Sequence, residues 1–130
     1  MSQDGLVSVP VLHPTPQLIE RIETELKARG ITIFARIDHA AGAAAVGQAL
    51  RPTVVLIFGN PAAGTPLMQA EQTIGLDLPL KILAWEDASG ISWLSYHDPA
   101  WLARCHGIDP ATQPTLAAMT SLYAALTADF

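Results

Sequence analysis

The chain has 130 residues, half of them hydrophobic and 15% charged, with a net charge of −5 and a pI near 5.1. That acidic balance argues against non-specific nucleic-acid binding, which needs basic charge to meet phosphate. No apolar run reaches the roughly 18 residues of a membrane span, and one domain over residues 1–130 accommodates the length.

Met1-Ser-Gln-Asp-Gly5 has no basic stretch followed by an apolar one, so no secretory signal is expected. The single Cys105 allows no internal disulfide, which fits a reducing, cytoplasmic setting. Leu6–Leu12 reads as a short strand, and Pro10 assigns it to an edge or a bend because proline cannot donate to a ladder. Helix one is expected from Pro16 to Arg29. Leu18, Ile19, Ile22 and Leu26 form its apolar stripe, and Gly30 supplies the stop. Ile31–Asp38 alternates, with Ile31, Ile33, Ala35 and Ile37 expected on the core face and Thr32, Phe34, Arg36 and Asp38 opposite. Asp38 is placed to cap an Ala-rich helix from His39 to Leu50.

Thr53–Gly59 is a continuous apolar run suited to a strand buried on both faces. Asn60-Pro61 breaks it. Thr65-Pro66 then offers a cap and a first-position proline, so the next helix is expected from Pro66 to about Ile74. Leu80–Glu86 and Ile91–Tyr96, joined by Asp87-Ala-Ser-Gly90, read as an antiparallel hairpin with Trp85 and Trp93 packed across it. Asp98-Pro99 and Asp109-Pro110 repeat the cap-then-proline device. A last helix carries Leu116, Met119, Leu122, Tyr123 and Leu126, to cover the sheet or a partner subunit. Helix-linked strands followed by a hairpin predict an α+β fold, a two-layer α/β sandwich. The expected sheet is mixed, with a C-terminal antiparallel hairpin and helices mostly on one face.

Phe58-Gly-Asn-Pro61, Gly64-Thr-Pro-Leu-Met68, Leu78-Pro79, Trp85-Glu86-Asp87 and Tyr96, together with Arg36-Ile-Asp-His39 and Leu50-Arg-Pro52, fall in a familiar order. From about Pro16 to Ile108 the chain resembles domain-of-unknown-function family 302. The resemblance implies a compact two-layer α/β domain of bacterial type, paired as a homodimer. It carries over no activity.

The turn from Gly59 to Met68 is the best candidate site. A helix opening there would leave backbone N–H groups and the positive end of the helix dipole free for a small anion. Gly59 and Gly64 would allow close approach, Asn60 and Thr65 would give polar contacts alongside the amides of Thr65, Leu67 and Met68, and Tyr96 would close the pocket. The same residues also suit a plain tight connection. Nucleotide binding is not expected, because the turn lacks the lysine of a phosphate loop and the chain has no G-x-G-x-x-G.

Two other readings compete. An enzyme of unknown class would use His39 or His97 as acid or base, although Asp38 and Asp98 beside them are better explained as helix caps. A structural or dimerisation domain would need no ligand and would present a large apolar face. Separately, Trp85, Trp93, Tyr96 and Trp101 fall in the C-terminal third, where a partner subunit or a ligand could stack, although core packing explains them as well. Cys105-His106 has no second pair at zinc spacing, so no metal is expected. Haem has no attachment motif, leaving only His39, His106 or Met68 as conceivable axial ligands. The cofactor is therefore unknown, and Met68 and Met119 read more simply as core filler. Ser95, His97 and Asp98 are too crowded along one strand end for a triad. Cys105, at a helix C-terminus, is not set up as a nucleophile.

Overall fold

The computed structural model describes residues 5–128, so of the opening Met1–Gly5 stretch only Gly5 falls among them. Five strands, β1 (Leu6–Val11), β2 (Thr32–Asp38), β3 (Thr53–Gly59), β4 (Leu80–Glu86) and β5 (Ser92–His97), form one sheet in the order β1-β5-β4-β3-β2. The helices are α1 (Thr15–Ala28), α2 (His39–Ala45), α3 (Pro61–Ala70), α4 (Pro99–Cys105) and α5 (Thr115–Thr127). The α+β two-layer sandwich is as expected. The mixed sheet is not, because every neighbouring pair runs antiparallel. From β2 to β5 each strand lies beside the next in sequence. The helical segments between them are therefore detours in a meander, where parallel neighbours would need a crossover.

Pro10 does sit on an edge strand, since among the described residues β1 pairs with β5 alone. Because β1 and β2 lie at opposite edges, α1 must cross the sheet between them. Leu18, Ile19, Ile22 and Leu26 are accordingly fully buried, as the stripe predicts. Gly30, at φ +69°, turns the chain out of α1 in the left-handed region that glycine enters without steric cost.

Register divides the sheet into two unlike faces. Val54, Leu56 and Phe58 of β3, Leu80, Ile82 and Ala84 of β4, and Leu94 of β5 are buried under the helices. The alternate residues Val55, Ile57, Leu83, Trp85 and Trp93 are only half-buried, so the run that reads as a strand buried on both faces is covered on one. Trp85 and Trp93 do stack across the hairpin, at 6.0 Å and 18°. Their turn is organised by Asp87, whose Oδ1 accepts from Ser89 N and Ile91 N and whose Oδ2 accepts from Trp93 Nε1. Those donors, the indole first, hold the Asp87 carboxyl below its ordinary value.

In β2 the alternation breaks. A β-bulge between Ile33 and Ala35 takes Phe34 out of the ladder, so Ile33 faces the helices while Ala35 and Ile37 turn to the open face. Arg36 thereby reaches Glu20 Oε1 and Glu23 Oε1 of α1, at 3.3 and 3.0 Å. Strict period two cannot foresee an extra residue. Asp38 does cap the helix that follows, accepting from Ala41 N at 2.9 Å, but α2 stops at Ala45, short of Leu50, and buries nothing.

Tyr123 ties α5 to the sheet. Its ring meets Phe58 edge-on and stacks on Tyr96, with centroids 4.0 Å apart. Its hydroxyl donates to Lys81 O at 2.8 Å and accepts from Lys81 N at 3.2 Å. The β4–β5 ladder begins only at Leu83–Ser95, so this hydroxyl takes the place of a strand partner where the two strands part. Burial pushes the Tyr123 phenol far above its usual range.

Candidate functional site

The chain leaves β3 at Gly59 and enters α3 at once. Asn60 is the N-cap, its Oδ1 accepting from Ala62 N at 3.0 Å, and Pro61 takes the first helical position. The helix therefore begins five residues before the expected Pro66, which lies inside it. Two cap-then-proline pairs compete here, and Asn60-Pro61, the stronger cap, prevails. Gly64, Thr65, Leu67 and Met68 become interior residues of α3. The first turn has no amide to spare: Pro61 carries none, Ala62 N goes to Asn60 Oδ1, and Ala63 N and Gly64 N go to Asn60 O. The expected anion cradle of free helix N–H groups is not formed.

A cavity of about 590 Å³ opens beside the same turn, between the ends of β2–β4, α3, α5 and the C-terminus of α1. Gly59, Asn60, Gly64, Thr65 and Met68 all line it. Tyr96 does not. It stacks on Tyr123, and burial and the charge of Asp98 raise its phenol pKa. The walls are mainly apolar: Met119 and Leu80 are buried, while Met68, Leu78 and Leu122 are half-buried. Four polar side chains, Arg29, Asn60, Thr65 and Ser121, line the cavity too, and all four are exposed, which sets them at its mouth. The bulged Phe34, itself exposed, stands with them.

Sequence reasoning missed Arg29, Phe34, Leu78 and the α5 residues. Only the leftover apolar face of α5 hinted at the last group, and nothing local brings α5 beside α3. The tertiary tie is Thr115 Oγ1, which donates to Ala63 O at 2.9 Å. The opposite wall is a 3-10 turn, Gln72–Asp77, leading to Leu78 and the cis Pro79. Glu71 caps that turn, and His106 fastens it to α4: Nε2 contacts Asp77 Oδ2 at 2.5 Å and Nδ1 contacts Thr73 Oγ1 at 3.1 Å.

No histidine lines the cavity. His39 begins α2, and His97 is exposed at the end of β5, its ring 5.2 Å from that of Trp101. The pairing of either with Asn60 as acid–base and polarising donor is therefore not assembled. Among the described residues no group of three His, Cys, Asp or Glu side chains converges as a metal site would require. Asp98 and Asp109 are caps, as their positions before proline predict.

The sequence profile of the domain of unknown function DUF302 matches residues 7–126. The chain belongs to that family. A crystal structure of an uncharacterized conserved DUF302 protein from Bacillus stearothermophilus superposes with a TM-score of 0.81 over 95% of both chains, at 22% identity. That likeness shows the fold alone. The chain is also 48% identical over 117 residues to proteins named fluoride-specific ion channel FluC 1 from Brucella suis biovar 1 and Brucella abortus biovar 1. The matched segment covers 90% of this chain but only 46% and 43% of those proteins, so the chain spans about half the length of these relatives. Among the described residues no helix is long and apolar enough to cross a membrane.

Proposed function

We propose that this domain binds a small, largely apolar molecule in the cavity beside Gly59–Met68. The observation that carries this reading is the cavity itself: about 590 Å³, with methionine and leucine walls and polar groups confined to the mouth. That size lies within the roughly 300–1,000 Å³ of small-molecule sites, which share this division between apolar walls and a few polar groups. The lone Cys105 suits the cytoplasm as the place of action. The fluoride-channel name belongs to proteins of which this chain matches less than half, and an apolar cavity gives no reason to move anion conduction onto this domain.

Titration with the neutral dye N-phenylnaphthylamine tests the reading. Saturable binding at one site is expected, and Gly64→Leu should abolish it. A Cβ at Gly64 meets Leu78 Cδ1 at an ordinary 3.5 Å, and leaving glycine in a helix interior gains about 1 kcal/mol. The variant should thus fold at least as well while filling the cavity. Unchanged dye binding in Gly64→Leu, or none in the parent, overturns the proposal.

A second reading is favoured by the open sheet face, and it takes a second copy of this chain as its occupant. Ala35, Ile37, Val55, Ile57, Leu83, Trp85 and Trp93 lie there uncovered by any helix. Four strands of about six residues span roughly 20 Å by 20 Å in plan, about half of the roughly 800 Å² per partner of a standard interface before side-chain relief is added. Lys81 stands at one end of this face, and the Asp87 carboxylate, held by Trp93, at the other. A two-fold axis across the strands sets the lysine end of one copy against the aspartate end of the other. Leu83→Lys should turn a homodimer into a monomer by light scattering. A parent that is monomeric at high concentration rules this reading out.

A further inference from the structure

Resting on the cavity-binding reading, we infer that the ligand is an amphiphile: an apolar chain or ring system carrying one anionic head group, a carboxylate or phosphate ester, held at the mouth by Arg29. Two independent features of the mouth point the same way.

The first is charge. Among the described residues lining the cavity Arg29 is the single charged one, and none of them is a carboxylate. Its Nε donates to Glu25 Oε1 at 2.8 Å, and no bond among the described residues takes its terminal nitrogens. Those nitrogens form the planar fork that matches a carboxylate or phosphate. The second is donor bias. Asn60 spends its Oδ1 on Ala62 N, which leaves its amide nitrogen as the free end. Guanidinium and amide nitrogens both donate, so the group they receive must accept. Thr65 and Ser121 hydroxyls add adjustable partners on the α3 and α5 sides.

Deeper in, Met68 and Met119 meet whatever lies below the head. Their flexible thioethers repack around a chain of variable shape, where a branched wall would demand one. The anion preference that the sequence predicts thus acquires a different source. It comes from a side chain 31 residues upstream of Asn60, and the amides of the helix contribute nothing.

The test compares decanoate, decyl phosphate and decan-1-ol by calorimetric titration on the parent, Arg29→Gln and Glu25→Gln. In the parent both anions should bind about tenfold tighter than the alcohol, the scale of one charge-assisted contact at a partly exposed site. The advantage should shrink as salt is raised. In Arg29→Gln the preference should vanish, the anions losing about tenfold and decan-1-ol, which can lose at most a neutral hydrogen bond, losing far less. In Glu25→Gln the anions should gain a few-fold, because the competing carboxylate is gone. The ranking of decanoate against decyl phosphate identifies which head group the fork takes. Equal binding of alcohol and anions by the parent overturns the head-group inference and leaves the cavity reading standing, as does a preference that survives Arg29→Gln. Failure of all three ligands to bind the parent overturns both.

Discussion

Replacing Tyr123 by Phe keeps the ring that packs on Phe58 and Tyr96 and deletes only the hydroxyl that serves Lys81 N and O. Two backbone groups then lose their partner at the point where β5 has already parted from β4. A buried polar group left unpaired costs about 1–3 kcal/mol. A small hollow of about 30 Å³ beside Lys81 and Tyr123 has room for one water, which would serve one of the two groups and bring the expected loss to about 2 kcal/mol. For 130 residues the unfolding entropy is about 0.27 kcal/mol/K, so the melting temperature should fall by about 7 °C. The pH dependence supplies a second signature. Burial keeps the Tyr123 phenol protonated beyond its ordinary value of 10.0, whereas the unfolded chain ionises there. The stability tied to this raised pKa is complete below pH 10. It is lost as pH climbs toward the folded value, by about 1.4 kcal/mol per pH unit. The parent should therefore approach Tyr123→Phe in alkali, with the gap at pH 11 less than half that at pH 7. Urea unfolding at both pH values measures it. A difference under about 0.5 kcal/mol at pH 7, or a gap that widens with pH, refutes the account of the hydroxyl as a surrogate strand.

Three further substitutions test other joints. Asn60→Ala should lower stability by about 1 kcal/mol through loss of the α3 cap, and should weaken a ligand with an acceptor head group more than a hydrocarbon without one, since the Asn60 amide nitrogen stands at the mouth; calorimetric titration of the two compares them. Thr15→Val should raise the melting temperature by a few degrees, because the Thr15 hydroxyl is buried with no partner among the described residues and its removal relieves about 1 kcal/mol; a lower melting point would show that the hydroxyl is satisfied after all. Asp87→Asn should flatten the acid limb of the stability profile. The depressed folded pKa of Asp87 contributes stability that is present above its ordinary 3.8 and lost as pH falls through the folded value, and a chemical-denaturation series from pH 6 to pH 2 reads that slope.

Local chemistry made much of this fold legible. The stripe of α1, the caps at Asp38, Asp98 and Asp109, the edge position of Pro10 and the stacked Trp85–Trp93 pair all follow from residue type and spacing. Strand direction did not follow, because a helix between two strands reads alike whether it crosses over or returns. At Asn60–Pro66 two start signals lie within one helix, and propensity alone ranks them poorly. Five of the six expected site residues do lie together at one cavity, yet the partners that shape it, Arg29 and Met119 among them, come from segments whose meeting is decided by packing across the whole domain.

The bulge at Phe34 has a consequence for how this domain tolerates change. Skipping one residue reverses the parity of β2 halfway along, so a deletion of Phe34 would swing Arg36 and Asp38 out to the open side and carry Ile37 beneath α1. The ion pairs to Glu20 and Glu23 and the cap on α2 would come apart in the same event, and the lip of the cavity would go with them. A single spare residue thus keeps the charged stitching of one layer and the doorway of the site in step.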